Sequence, residues 1–130
     1  MNSAAPRSLY PVFDLETLDQ LSDLIDGDDA SFLDELFESY LETAAETLAT
    51  LRSQVDQDLL RRAAHTLKGS SLNVGAARVA ATCKDLEAHL RTGAAIPDMP
   101  HRVATIEAQI QTVRERYPTT LAGLAVRASA

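Results

Sequence analysis

Apolar residues in this chain recur three and four positions apart and almost never alternate one by one. Leu15, Leu18, Leu21, Leu24 and Ile25 make the first series. Phe32, Leu33, Leu36, Phe37, Tyr40, Leu41, Ala44, Leu48 and Leu51 make the second. Leu59, Leu60, Ala63 and Leu67, with Ser70 or Ser71, make a third with small residues at its end. Val79, Ala80, Cys83, Leu86 and Leu90 make a fourth, and Val103, Ile106, Ile110 and Val113 a fifth. This spacing follows the 3.6-residue period of an α-helix, not the two-residue period of a strand.

The breaks between series carry helix punctuation. Asp14 and Asp56 precede the first and third series as N-caps. Gly27 with Asp28 and Asp29 stops one helix and starts another, and Asn73 and Gly75 do the same further on. The predicted helices are therefore 15–25, 30–52, one opening after Asp56, 76–91 and 100–117, with Pro118 as the final stop. No Asn-Gly or Asp-Gly turn joins β-branched stretches, and no internal repeat is present. Four long helices with short connections predict an all-α fold, an antiparallel four-helix bundle with an accessory N-terminal helix. Residues 1–12, with Pro6 and Pro11, read as a flexible lead-in, 13–117 as the domain and 118–130 as a short Ala-rich tail. Met1 and these loose ends favour a free-standing small protein.

At 130 residues the chain has material for one core. It has no tryptophan, and its single cysteine, Cys83, excludes an internal disulfide and fits a reducing compartment. No run reaches the ~18 apolar residues of a membrane span, and the first eight residues lack a secretory core. A cytoplasmic protein that binds neither membrane nor nucleic acid is the expectation. The net charge of −7 conceals an asymmetry: residues 14–46 hold twelve acidic residues and no Lys or Arg. The rest has all 12 basic residues against seven acidic ones, which suits an acidic protein partner.

The most informative stretch is Ala64-His65-Thr66-Leu67-Lys68-Gly69-Ser70-Ser71. Ala63 and Leu67 lie about 200° around the helix from His65, so if they face the core His65 faces water. Its own face gathers Arg61, Lys68, Gly69 and Leu72. A mid-helix glycine costs roughly 1 kcal/mol relative to alanine, and here it clears space over the imidazole for another surface. Lys68 sets an ammonium where a phosphate on the ring would sit, and Arg61 and Arg62 add to that field. An exposed neutral imidazole is a competent phosphoryl acceptor, and nearby cations stabilise the anion that results. A lone helical histidine is ordinarily a solvated side chain; it is the combination with Lys at i+3, Gly at i+4 and a helix stop at i+10 that points to chemistry.

The run His65-Thr66-Leu67-Lys68-Gly69-Ser70-Ser71, followed by Gly75, Cys83 and Leu86-Glu87, closely resembles the signature of histidine-containing phosphotransfer (HPt) domains. The resemblance extends from about Asp14 to Tyr117. It implies a phosphorelay intermediate, not an enzyme with an ATP or metal site of its own. Such domains take a phosphoryl group from a receiver-domain aspartate and hand it to another receiver. The resemblance also implies that Glu87 hydrogen-bonds the imidazole of His65 from the next helix; Glu here is similar to the chemotaxis-kinase version, whereas many relay domains carry Gln. The residue-level alternative for Glu87 is a surface pair with Arg91 at i+4. Arg91 is placed to meet a phosphate or a receiver.

The implied partners are response-regulator receivers or a hybrid sensor histidine kinase, with Mg²⁺ supplied by the receiver, no cofactor in this chain, and a monomeric state. Docking is expected on an apolar patch beside His65 that includes Leu72 and nearby second-helix residues, within a basic rim. Ser70 and Ser71 read as packing residues and Cys83 as a buried small hydrophobe. No Glu-x-x-His pair of the di-iron type occurs, so no metal site is expected. The alternative is an HPt-like interaction module that docks such proteins without carrying phosphate. An autonomous kinase or phosphatase is excluded by content: there is no Gly-rich nucleotide loop and no room for a second domain.

Overall fold

The computed structural model describes residues 11–24, 30–53 and 56–129. Its elements are α1 (Leu15–Leu24), α2 (Ala30–Ser53), α3 (Gln57–Asn73), α4 (Ala77–Arg91) and α5 (Met99–Ser129). No strand occurs among the described residues. α2 packs on α3, α3 on α4, α4 on α5, and α5 back on α2. That closed cycle, with consecutive helices joined by short connections, is an antiparallel four-helix bundle. α1 lies outside the cycle and packs on α5.

The caps fall where the sequence predicts. Asp14 accepts Glu16 N–H at 3.1 Å and Thr17 Oγ1–H at 2.9 Å. Asp56, extended at φ −142°, accepts Asp58 N–H at 2.7 Å. Both occupy orphan donors of a first helical turn. The buried faces follow the predicted stripes: Leu18, Leu51, Leu67, Leu86, Ile106 and Val113 are fully enclosed. Phe32, Leu59 and Leu15 depart from them; each was assigned to a core stripe but stands exposed. They lie at stripe edges near helix ends, where no neighbouring helix covers them.

Two boundaries differ from expectation. Val12 and Phe13 are buried in the core, so packing starts inside what reads as a lead-in; residues 1–10 lie outside the described residues, as do Ile25 and the predicted break at 27–29. At the other end, α5 continues through Pro118 to Ser129. Pro118 lacks a backbone donor, so it removes one hydrogen bond of the helix without ending it.

The α3–α4 turn holds the N-terminal segment. Gly75 adopts φ +77°, and its carbonyl accepts Asp14 N–H at 2.8 Å. A Cβ there would stand 3.2 Å from Leu18 Cδ2 and 3.3 Å from the Asp14 carbonyl. Gly93 has the same φ, but a Cβ would meet nothing within 4 Å. Gly93→Ala should therefore cost only the left-handed penalty, about 1 kcal/mol, while Gly75→Ala adds displacement of Leu18 and should cost about 2–3 kcal/mol. Urea denaturation of the two variants checks this; equal losses would mean the close approach carries no energy.

Candidate functional site

The site begins with the closeness of α3 and α4. Small residues on α3 make it possible: Ala64 and Ser71 are fully buried and Ala63 nearly so. Ser71 is more than a spacer, because its Oγ pairs with the buried Tyr40 hydroxyl of α2 at 2.9 Å. Burial raises the Tyr40 hydroxyl well above its ordinary value, so it stays a neutral hydrogen-bonding group. With the core face of α3 occupied in this way, His65 projects outward and its side chain is 60% exposed.

Glu87 of α4 reaches it from below. Its side chain is 3% exposed, and Oε2 lies 2.8 Å from His65 Nδ1. Lys68 Nζ donates to Oε1 at 2.8 Å, and Arg91 Nη2 donates to Oε2 at 2.9 Å. A buried carboxylate is tolerable only when paired, and here three donors pair it. Burial pushes its carboxyl up, but hydrogen bonds from Lys68 and His65, with their charges, outweigh this and hold it below its ordinary value. An ionised carboxylate only accepts, so the proton between it and the ring sits on Nδ1. In neutral His65 the lone pair is then on Nε2.

The residues predicted from the sequence separate into two groups. His65, Lys68, Glu87 and Arg91 form one connected cluster. Lys68 stands as neighbour to the ring with its ammonium anchored on the same carboxylate. Arg61 and Arg62 do not join it: Arg61 Nη2 pairs with Asp58 Oδ1 at 2.9 Å and Arg62 Nε with Oδ2 at 3.0 Å. Asp58 is one turn back on the same helix from both arginines. The hydrogen bond from Arg61 holds the Asp58 carboxyl below its ordinary value. The i,i+3 and i,i+4 spacing of Asp58 to Arg61 and Arg62 is the sequence signal for these pairs. The Tyr40–Ser71 pair joins helices 31 residues apart and leaves no sequence signal.

Gly69 sits one turn above His65, and a Cβ there would meet nothing within 4 Å. Leu72, two turns along the same face, is 56% exposed. Cys83 is buried, which pushes its thiol up to about 12 and leaves it unreactive. Among the described residues no group of three His, Cys, Asp or Glu is placed to hold a metal ion, and no helix is long and apolar enough to cross a membrane.

Residues 35–116 match the sequence profile of the Hpt domain. The chain belongs to the Hpt domain family. No curated protein matches its sequence, but solved structures do. It is similar to histidine-containing phosphotransfer protein B (HptB) from Pseudomonas aeruginosa PAO1, with a TM-score of 0.73 and 26% identity over 86% of this chain and 96% of that one. It is also similar to a rice protein assigned as a histidine-containing phosphotransfer protein, with a TM-score of 0.70 and 25% identity over 96% of this chain and 93% of that one. As an Hpt domain the protein is a histidine phosphotransfer carrier of a phosphorelay, the class that works with receiver domains and kinases rather than as a self-contained enzyme.

The cluster of this Hpt domain has a pH signature. The carboxyl of Glu87 lies below its ordinary 4.5 in the fold. It therefore contributes stability that is complete above pH 4.5 and is lost as pH falls through the folded value. Glu87→Gln should lower the urea midpoint at pH 7 and flatten its decline below pH 4.5. A variant with the same acid decline as the parent would contradict the pairing.

Proposed function

We propose that this Hpt domain accepts a phosphoryl group on Nε2 of His65 from the aspartyl phosphate of a receiver domain and passes it to the aspartate of a second receiver. The observation that carries the reading is the fixed tautomer. Nδ1–H is committed to a buried carboxylate, so the ring presents its lone pair outward. Imidazole is a nucleophile only through an unprotonated nitrogen.

The step balances on this chain's residues. The Nε2 lone pair attacks phosphorus, the N–P bond forms, and the P–O bond to the receiver's aspartate breaks, with the electron pair leaving on the carboxylate. Nδ1 keeps its proton throughout, so the ring gains a positive charge as it gains the phosphoryl group. Glu87 is the countercharge for that cation, already in place and shielded from water. Lys68, held beside the ring by Glu87, faces the transferred oxygens. The reverse reaction uses the same parts, and the protonated Nδ1 makes the ring a good leaving group.

Gly69 supports the same reading from another side. Nothing inside the molecule needs the space its missing Cβ leaves, yet a helical glycine costs stability. A second macromolecule approaching Nε2 does need it. Leu72 gives that surface an apolar contact, and the arginines around Asp58 give it a basic margin. The Mg²⁺ that phosphoryl transfer requires arrives with the receiver.

Incubation with a radiolabelled phosphorylated receiver should transfer label in acid-labile, base-stable form to the wild type. His65→Gln should abolish it while circular dichroism stays unchanged; label surviving in that variant contradicts the assignment, and a folded wild type that takes no label favours a docking module. Gly69→Ala should raise folding stability by about 0.5–1 kcal/mol and slow transfer at least tenfold. A glycine needed only for the fold would move both in the same direction.

A further inference from the structure

His65 and Arg91 compete for one oxygen. Nδ1 lies 2.8 Å and Arg91 Nη2 2.9 Å from Oε2 of Glu87, while Oε1 takes Lys68. Each donor on a carboxylate oxygen withdraws charge that the other would use, so the Arg91 bond weakens the His65 bond. The two basic side chains on Glu87 differ in how they are held. Lys68 is mostly covered, with 23% of its side chain exposed, and stays with Glu87. Arg91 stands in the last turn of α4 with 62% of its side chain exposed.

We propose that Arg91 restrains Glu87 at rest and, by moving onto the incoming phosphoryl group, releases it to His65. This rests on His65 being the acceptor. Electrostatics gives the direction of the exchange. In the neutral form that attacks phosphorus, the ring shares Oε2 with a cation at little cost. During transfer the ring becomes cationic, and a guanidinium on the same oxygen then opposes it. The arriving phosphoryl group is a multiply charged anion that matches the planar donors of arginine better than a shared carboxylate oxygen does. Moving Arg91 from Glu87 to that anion removes the repulsion and leaves Oε2 wholly to Nδ1–H. Docking thereby strengthens the hydrogen bond that orients the ring only when a phosphoryl group is present. The other charges around the ring do not share Oε2 with His65: Arg61 and Arg62 pair with Asp58, and Lys68 with Oε1.

The proton on His65 Nδ1 reads this directly by NMR, because it moves downfield as its hydrogen bond strengthens. Arg91→Gln should shift it downfield in the free protein, with helicity unchanged. In the wild type, adding a receiver that carries beryllofluoride in place of its phosphoryl group should shift it the same way; in Arg91→Gln the addition should shift it little further. Transfer from the phosphorylated receiver should nonetheless slow in Arg91→Gln by about threefold to tenfold, and Arg91→Lys should recover part of the rate. In a Glu87→Gln background, Arg91→Gln should leave the Nδ1 proton where the single variant has it. A resonance unmoved by Arg91→Gln, or moved equally by the receiver in both proteins, overturns the proposal. Failure of the underlying reading is distinct: the wild type itself would then take no phosphate on His65.

Discussion

One buried carboxylate organises this molecule's exposed chemistry. Glu87 lies between α3 and α4, and its oxygens accept from His65, Lys68 and Arg91. Left unpaired, such a group costs several kcal/mol; paired, it becomes a fixed anion that determines which nitrogen of His65 carries the proton. The same contact serves fold and function. It closes the α3–α4 seam with charge, where the rest of that seam is closed by small side chains, and it turns a surface histidine into one with a defined tautomer.

The remainder of the bundle holds that seam in place. Small residues on α3 let α4 approach, the Tyr40–Ser71 bond ties α3 to α2, and Phe37 stacks on Tyr117 at 4.1 Å to tie α2 to α5. Asp14, bonded to the Gly75 carbonyl, anchors α1 against the turn that follows α3. His65 is thus mounted on a helix fixed along its length, and neither partner in the pair with Glu87 lies in a loop. Charge is partitioned around this frame. Glu35, Glu38, Glu42 and Glu46 all stand exposed along α2, while Arg61, Arg62, Lys68 and Arg91 border the histidine.

The architecture was legible because helical periodicity is a local property repeated over long segments. The N-caps at Asp14 and Asp56, and the outward direction of His65, followed from spacing within one helix. Spacing does not report contacts between helices. The Glu87–His65 pair was visible only through resemblance to HPt domains, and Tyr40–Ser71 was not visible at all. Arg61 and Arg62 were read as receiver-docking or phosphate-facing cations, and both pair with Asp58, one turn away. Pro118 was read as a helix stop from its own chemistry, whereas α5 runs through it.

The central claim is that Nδ1 of His65 stays protonated on Glu87 while Nε2 carries the phosphoryl group. Long-range ¹H–¹⁵N correlation of the phosphorylated, ¹⁵N-labelled protein tests it most directly, through coupling of phosphorus to one ring nitrogen. The account predicts phosphorus on Nε2 and a retained Nδ1 proton. Phosphorus on Nδ1, or on His89 or His101, would contradict it.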